Sequence, residues 1–297
     1  MRIGYFADGP WGHKAFKKII SDSSLEIVFL TVRYDSQDSV LMDMAKENGI
    51  PVIIHKNINT VEAREEYAGY KADLFVSMSF NQIFKKDFIS IPPLKTINCH
   101  AGKLPFYRGR NILNWALIND EKEFGITVHY VDEGIDTGDI ILQRVYPITD
   151  EDSYATLLER AYVGCADILY EAIKKLQEGT AEAIPQSSID PVGFYCGMRQ
   201  RGDEVLDWNQ SSREVFNFVR AISSPGPSAR TFLNGEEMRI HKVREVKGMR
   251  AYKNTPGQIL GKTSLGFLVK TKDTMVEVTD CDFAGHIRVG DRLCSGR

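Results

Sequence analysis

Glu26-Ile27-Val28-Phe29-Leu30-Thr31-Val32 is apolar at five of seven positions without strict alternation, the pattern of a strand buried on both faces, as in a parallel sheet covered by helices. Working outward, similar short runs recur at 2–6, 51–54, 74–78 and 96–100. Between them, 13–21, 39–48 and 60–68 place apolar residues three and four apart, so each can cover the sheet with one helical face. Strands alternating with amphipathic helices predict β-α-β units.

After Gly125 the chain offers two more strands, 126–131 and 140–146, joined by Gly134-Ile135-Asp136-Thr137-Gly138. A long helix over 153–176 follows, with Asp150-Glu151-Asp152 suited to its positive end. Periodicity fades from Gly179 to Arg201, where Pro185 and Pro191 mark a linker. Beyond it come one helix (211–222), a break at Ser224-Pro225-Gly226-Pro227, and short strands with turn signals. Asn234-Gly235 predicts a hairpin between 229–233 and 238–243, and 266–270 with 275–279 predicts another. The expected architecture is α/β: a Rossmann-like, mostly parallel sheet with helices on both faces over residues 1–200, plus a small β-barrel-like, OB-type domain over 201–297.

The 297 residues suffice for one sizeable core and a smaller second domain. Net charge is −3 with a pI near 6.1, which gives no overall footprint for a polyanion. From Glu204 onward, 15 Lys+Arg face 11 Asp+Glu, a local +4. No apolar run approaches the ~20 residues of a membrane span, so the expectation is a cytoplasmic protein with no membrane partner. Cys99, Cys165, Cys196, Cys281 and Cys294 are odd in number and contain no C-x-x-C pair, which argues for reduced thiols and against a structural metal.

Within Thr96-Ile97-Asn98-Cys99-His100, alternate side chains share a face, placing Asn98 and His100 ~7 Å apart on one side. They end a parallel strand, where open α/β sheets bind ligands. An amide and an imidazole are out of place in an otherwise apolar central strand. A lone histidine there reads as a satisfied strand end, and a lone Asp136 reads as a turn residue. Together they suggest a carboxylate presented to an imidazole. Cys99 alternates to the opposite face, which disfavours it as a nucleophile. Asp8-Gly9-Pro10-Trp11-Gly12 is a weak phosphate-loop signal, and a nicotinamide enzyme is disfavoured because no acidic residue ends the second strand in the ribose-reading role.

Asn98-Cys99-His100, Leu104-Pro105-Phe106-Tyr107-Arg108-Gly109, Gly125-Ile126-Thr127 and Asp136-Thr137-Gly138 resemble, in order and spacing, the signature of the folate-dependent formyltransferases. That family includes methionyl-tRNA formyltransferase and enzymes that formylate nucleotide-linked amino sugars. Asp207-Trp208, the Arg220 helix and Pro227 to Leu233 resemble the start of the family's C-terminal domain. One departure is Ala101-Gly102-Lys103-Leu104-Pro105, where the family often has Gly-Ser-Leu-Leu-Pro. The resemblance implies 10-formyltetrahydrofolate as formyl donor and no metal. It also implies folate contacts at Gln82, Ile83, Phe84, Arg110 and the stretch Asp132, Glu133, Gly134, Ile135, although ordinary core packing is the simpler account of Phe84.

Formyl transfer needs a donor to the developing oxyanion and a base for the amine's proton. Asn98 suits the first and His100 the second, because imidazole titrates near neutrality. Asp136 orients the ring. For the acceptor, 33–38 reads Arg-Tyr-Asp-Ser-Gln-Asp, short and acidic, where tRNA-directed members resemble one another in a long basic loop. The expectation is therefore a nucleotide-linked amino sugar of surface-glycan (lipopolysaccharide-type) biosynthesis, with nucleic acid an unlikely partner. Lys103, Tyr107, Arg108, Trp115, Arg199 and Arg201 are its candidate contacts, the cations for diphosphate and the rings for base stacking. Methionyl-tRNA formylation and hydrolysis of formyltetrahydrofolate are the alternatives. Phe232, Phe267 and Phe283 are read as barrel core, with a homodimer face as the other option.

Overall fold

The computed structural model describes residues 1–296. The chain forms two compact units. The first comprises Met1–Gly109, Phe124–Tyr146 and Glu159–Cys196; the second comprises Arg110–Glu123, Pro147–Leu158 and the chain from Gly197 onward. Two segments before residue 200 fold with the second unit.

In chain order the first elements are β1 (Arg2–Ala7), α1 (Gly9–Ile20), β2 (Glu26–Thr31), α2 (Ser39–Glu47), β3 (Val52–Ile53), α3 (Val61–Gly69), β4 (Leu74–Met78), α4 (Lys86–Ile89) and β5 (Thr96–His100). Then follow β6 (Arg108–Gly109), α5 (Ile112–Ile118), β7 (Glu123–Tyr130), β8 (Ile140–Pro147), α6 (Tyr154–Glu178) and β9 (Tyr195–Cys196). The large sheet has the order β3-β2-β1-β4-β5-β7-β8. The first five of these run parallel, and β7 pairs antiparallel with β5. Because β2 and β4 flank β1, the chain leaves β1 toward opposite sides, which opens a crevice at the strands' carboxyl ends.

Strand alternation sorts the core. Phe6 points to one face, its ring edge-on to Phe29, Phe75, Phe84 and Phe88 at centroid distances of 5.3–5.6 Å, pairs each worth about 0.5–1.5 kcal/mol beyond area burial. Tyr5 points to the other, against Phe16 of α1, and donates its hydroxyl to the Gly12 carbonyl at 3.0 Å. Asp38 and Thr60 start α2 and α3 by accepting from the Leu41 and Ala63 amides. The segment that gave a weak phosphate-loop signal is the first turn of α1, which begins at Gly9. Proline is compatible with that turn because its missing N–H has no helical partner there.

The second unit adds α7 (Ser212–Ile222), β10 (Ala229–Leu233), β11 (Glu236–Glu245), β12 (Ile259–Lys262), β13 (Phe267–Lys270) and β14 (Met275–Asp282). Its antiparallel sheet has the order β10-β11-β14-β13-β12. Asn234 and Gly235 both have positive φ, 52° and 84°, as the predicted two-residue hairpin requires. Residues 291–294 hydrogen-bond to both edge strands: Phe232 and Cys294 exchange N–H···O bonds at 3.0 and 2.9 Å, and the Ile259 amide donates to Asp291 at 2.8 Å. This closes the sheet into a barrel and protects its edges. Phe232 and Phe267 are buried in it. Among the described residues, no helix is long and apolar enough to cross a membrane.

Candidate active site

The antiparallel register between β5 and β7 sets Asn98 opposite His129 and His100 opposite Thr127. Asn98 Nδ2 lies 3.3 Å from His129 Nε2. The other nitrogen of that ring, Nδ1, donates to the Tyr130 carbonyl at 2.7 Å. In the neutral ring, Nε2 is then an acceptor and takes one of the two amide N–H groups of Asn98.

The loop after β5 is folded back by three polar contacts. Thr127 Oγ1 donates to the Gly102 carbonyl at 2.7 Å, and Gln143 Nε2 donates to Leu104 O and Thr127 Oγ1, each at 2.8 Å. The turn brings the Tyr107 carbonyl to His100, whose Nε2 donates to it at 2.7 Å. Gly102 is needed at this crossing, since a Cβ would collide with His100 Nε2 and Tyr107 O.

Asp136 arrives from the loop after β7. Asp132 shapes that loop by accepting from the Gly134 amide at 3.1 Å and the Thr137 hydroxyl at 2.6 Å. Asp136 itself has a positive φ of 55°. Its Oδ2 accepts from the Gly109 amide at 2.9 Å and lies 3.6 Å from His100 Nδ1, while Oδ1 lies 3.5 Å from His129 Nε2. One carboxylate thus stands between two imidazoles, with only 13% of its side chain exposed. Burial alone would push this carboxyl up. The imidazole of His100, the polar contact with His129 and the Gly109 amide outweigh that and hold it well below the usual carboxylate range.

Asn98, His100 and Asp136 are therefore brought together, and His129 joins them from a position the sequence reading treated as plain strand. Its signal in the sequence is an imidazole, along with Thr127, within the otherwise apolar and aromatic run 126–131. Cys99 faces away, its Sγ 3.7 Å from the Cys165 carbonyl of α6.

Several expected contacts fall elsewhere. Phe84 is in the aromatic core. Gln82 spends its amide on the Ile58 amide and the His55 carbonyl. Ile83 and Ile135 are exposed at 66% and 56%, apolar surface that a flat ring system could cover, and Glu133 is exposed nearby in sequence to Ile135. Arg108, expected to meet a diphosphate, is 7% exposed. Its guanidinium clasps Gln186 Oε1 at 3.1 and 2.8 Å. That fixes the Gln186 amide so that Nε2 donates to the Asp136 and Gly138 carbonyls, each at 2.8 Å. Arg108 thus supports the Asp136 loop and has no guanidinium face left for a substrate phosphate. Tyr107 is buried, its ring 4.7 Å from that of Phe194, and Lys103 packs its Cβ on Gly125. Arg110, Trp115, Arg199 and Arg201 belong to the second unit. There Trp115 donates its indole N–H to the Gly197 carbonyl at 2.9 Å and Arg199 donates to the Asp203 carbonyl at 2.8 Å, while Arg110 and Arg201 are exposed. No group of three His, Cys, Asp or Glu able to hold a metal ion occurs among the described residues.

Residues 2–173 match the formyl transferase family and residues 200–291 match the formyl transferase C-terminal domain. The methionyl-tRNA formyltransferase of Ruminiclostridium cellulolyticum is 32% identical over 241 residues, 81% of this chain and 76% of that protein. Further enzymes of that name are 31–35% identical over 73–84% of the chain. Among solved structures, the N-formyltransferase from Helicobacter canadensis, in complex with folinic acid and dTDP-3-aminofucose, has a TM-score of 0.66 at 20% identity and covers 94% of this chain and 99% of that one. HypX from Aquifex aeolicus has a TM-score of 0.60 at 20% identity over 96% of this chain. This chain spans about half the length of HypX, 46%. At such identities the two structures attest the fold.

The curated relatives overturn two expectations, a nucleotide-linked amino sugar as acceptor and the absence of a nucleic-acid partner. The acidic look of residues 33–38 misled in part because some of its charges are used internally. Asp38 caps α2 and binds the Gly9 amide and His13, each at 2.7 Å. Arg33 pairs with Asp8 at 3.3 Å, and Asp35 accepts from Asn81. Paired charges say little about the outward field. With matching N- and C-terminal family domains and relatives above 30% identity across most of its length, the chain belongs to the formyl transferase family.

Proposed function

We propose that this N-formyltransferase moves the formyl group of 10-formyltetrahydrofolate to the α-amine of methionyl-tRNA. The observation that carries the chemistry is the convergence of Asn98, His100, His129 and Asp136 within 3.3–3.6 Å contacts; the acceptor follows from the curated relatives. The donor supplies a formyl carbonyl. A bond forms from the amine nitrogen to its carbon, the bond to the folate nitrogen breaks, and one amine proton ends on that leaving nitrogen.

The residues divide this work by chemical type. Asn98 keeps one amide N–H beyond the contact to His129, and in our reading it donates that hydrogen to the formyl oxygen as negative charge builds there. His100 takes the amine's proton and returns it to the leaving nitrogen. Both of its ring nitrogens face acceptor oxygens, those of Tyr107 and Asp136, so a ring carrying a second proton satisfies both at once. Asp136 remains ionised and balances that charge. His129 orients the amide of Asn98, with its Nε2 beside the other oxygen of the carboxylate. Exposed Ile83 and Ile135 supply apolar surface for the folate ring.

The test is formyl transfer from labelled 10-formyltetrahydrofolate to methionyl-tRNA, with formate release measured in parallel. Label on the tRNA, dependent on its aminoacylation, supports the reading. Rapid formate release without an amine would instead identify a hydrolase.

A further inference from the structure

Tyr195 and its neighbours Phe194 and Val192 carry large apolar surface into solvent. Tyr195 is 56% exposed, Phe194 40% and Val192 76%. They are nonetheless well anchored. Tyr195 pairs with Arg108 in the short β6–β9 ladder, and the Arg108 amide donates to the Phe194 carbonyl at 3.1 Å. Phe194 packs edge-on to buried Tyr107. The guanidinium of Arg108, held by Gln186 and by the Val192 carbonyl, lies 5.3 Å from the Tyr195 ring centroid. An exposed ring fixed by its own backbone and by a cation has the form of a stacking platform, because it presents a π face and loses little freedom when another ring lands on it.

Its place relative to the reacting groups selects the occupant. Gly109, whose amide holds Asp136, follows Arg108 directly. Tyr195 is thus one strand spacing, ~4.8 Å, and one residue step, ~3.8 Å, from the backbone that positions the carboxylate. In an aminoacyl ester of a nucleoside, about seven covalent bonds of ~1.5 Å separate the amine from the base. That reach, about 10 Å, exceeds the backbone separation of Tyr195 and Gly109. We propose that Tyr195 stacks the terminal nucleobase of the aminoacylated acceptor, so that the amine is delivered to His100 from an anchored nucleotide; this rests on the methionyl-tRNA reading above.

The experiment compares kcat/KM for methionyl-tRNA with kcat/KM for methionine ethyl ester, which carries the same amine and no base, within each protein. Taking the ratio cancels any loss of folded enzyme. Tyr195→Ala and Tyr195→Leu should lower the ratio about tenfold, mainly through KM for the tRNA, on the scale of one lost base stack. Tyr195→Phe should restore it to within about twofold, because the ring carries the contact. An unchanged ratio in the Ala and Leu variants overturns the platform, as does a Phe variant that falls with them. A wild-type enzyme active on the ester but inert on methionyl-tRNA removes the acceptor reading, and this proposal with it.

Discussion

Two aspartates of the first unit each stand beside histidine, and their surroundings differ in a way that separates structure from chemistry. Asp38 is bound at full hydrogen-bond distance on every side: the Gly9 amide and His13 at 2.7 Å, the Leu41 amide at 3.0 Å. Asp136 has one such bond, from Gly109 at 2.9 Å, and two imidazoles held back at 3.5 and 3.6 Å. For both, burial would raise the carboxyl and polar partners lower it below the ordinary value. An Asp–His pair alone therefore does not mark a site. A carboxylate whose imidazoles are close enough to feel its charge but not closed onto it leaves room for protons to move.

The sharpest way to break this comparison is to neutralise each carboxylate. Asp136→Asn, or His100→Ala, should lower turnover by about two or more orders of magnitude, read in single-turnover assays on folded enzyme. Asn98→Ala should cost about 10²–10³ by loss of an oxyanion donor. Normal turnover in any of them would dissolve the distinction drawn here. His129→Gln retains a hydrogen-bonding side chain but places no imidazole beside the carboxylate, and should lose about ten- to a hundredfold, the scale of a misplaced group. Asp38→Ala should instead lose roughly 1 kcal/mol or somewhat more of stability through its cap, seen as a lower urea midpoint, while each folded molecule turns over near the wild-type rate.

A smaller effect follows from pH. The folded Asp136 carboxyl is depressed, so its stabilising contribution is fully present above the unfolded value of ~3.9 and is lost as pH falls through the lower folded value. Urea titrations from pH 5 to pH 2 should show wild type losing more stability than Asp136→Asn. A parallel decline of the two proteins would mean that the carboxylate is not held down by its neighbours.

The parallel sheet was legible because predominantly apolar runs without strict alternation, such as 26–32 and 74–78, are satisfied between helices. Asn98, His100 and Asp136 were legible because polar groups interrupt a strand and a glycine-flanked turn. His129 was not, since its meaning depends on the antiparallel register that sets it against Asn98, and no local pattern encodes a pairing between residues 31 apart in sequence. Arg108 misled for a related reason. A cation in a motif looks available until the fold supplies Gln186 from far along the chain. The acceptor misreading had the same root, with acidic residues counted as surface when Asp38 serves its own helix.

The most direct test of the account is transfer of labelled formyl from 10-formyltetrahydrofolate to methionyl-tRNA by wild type and Asp136→Asn at matched folded concentrations. The account predicts ready labelling by the wild type and a rate about a hundredfold or more lower in the variant. Equal rates in the two proteins, or no labelling by the wild type, would contradict it.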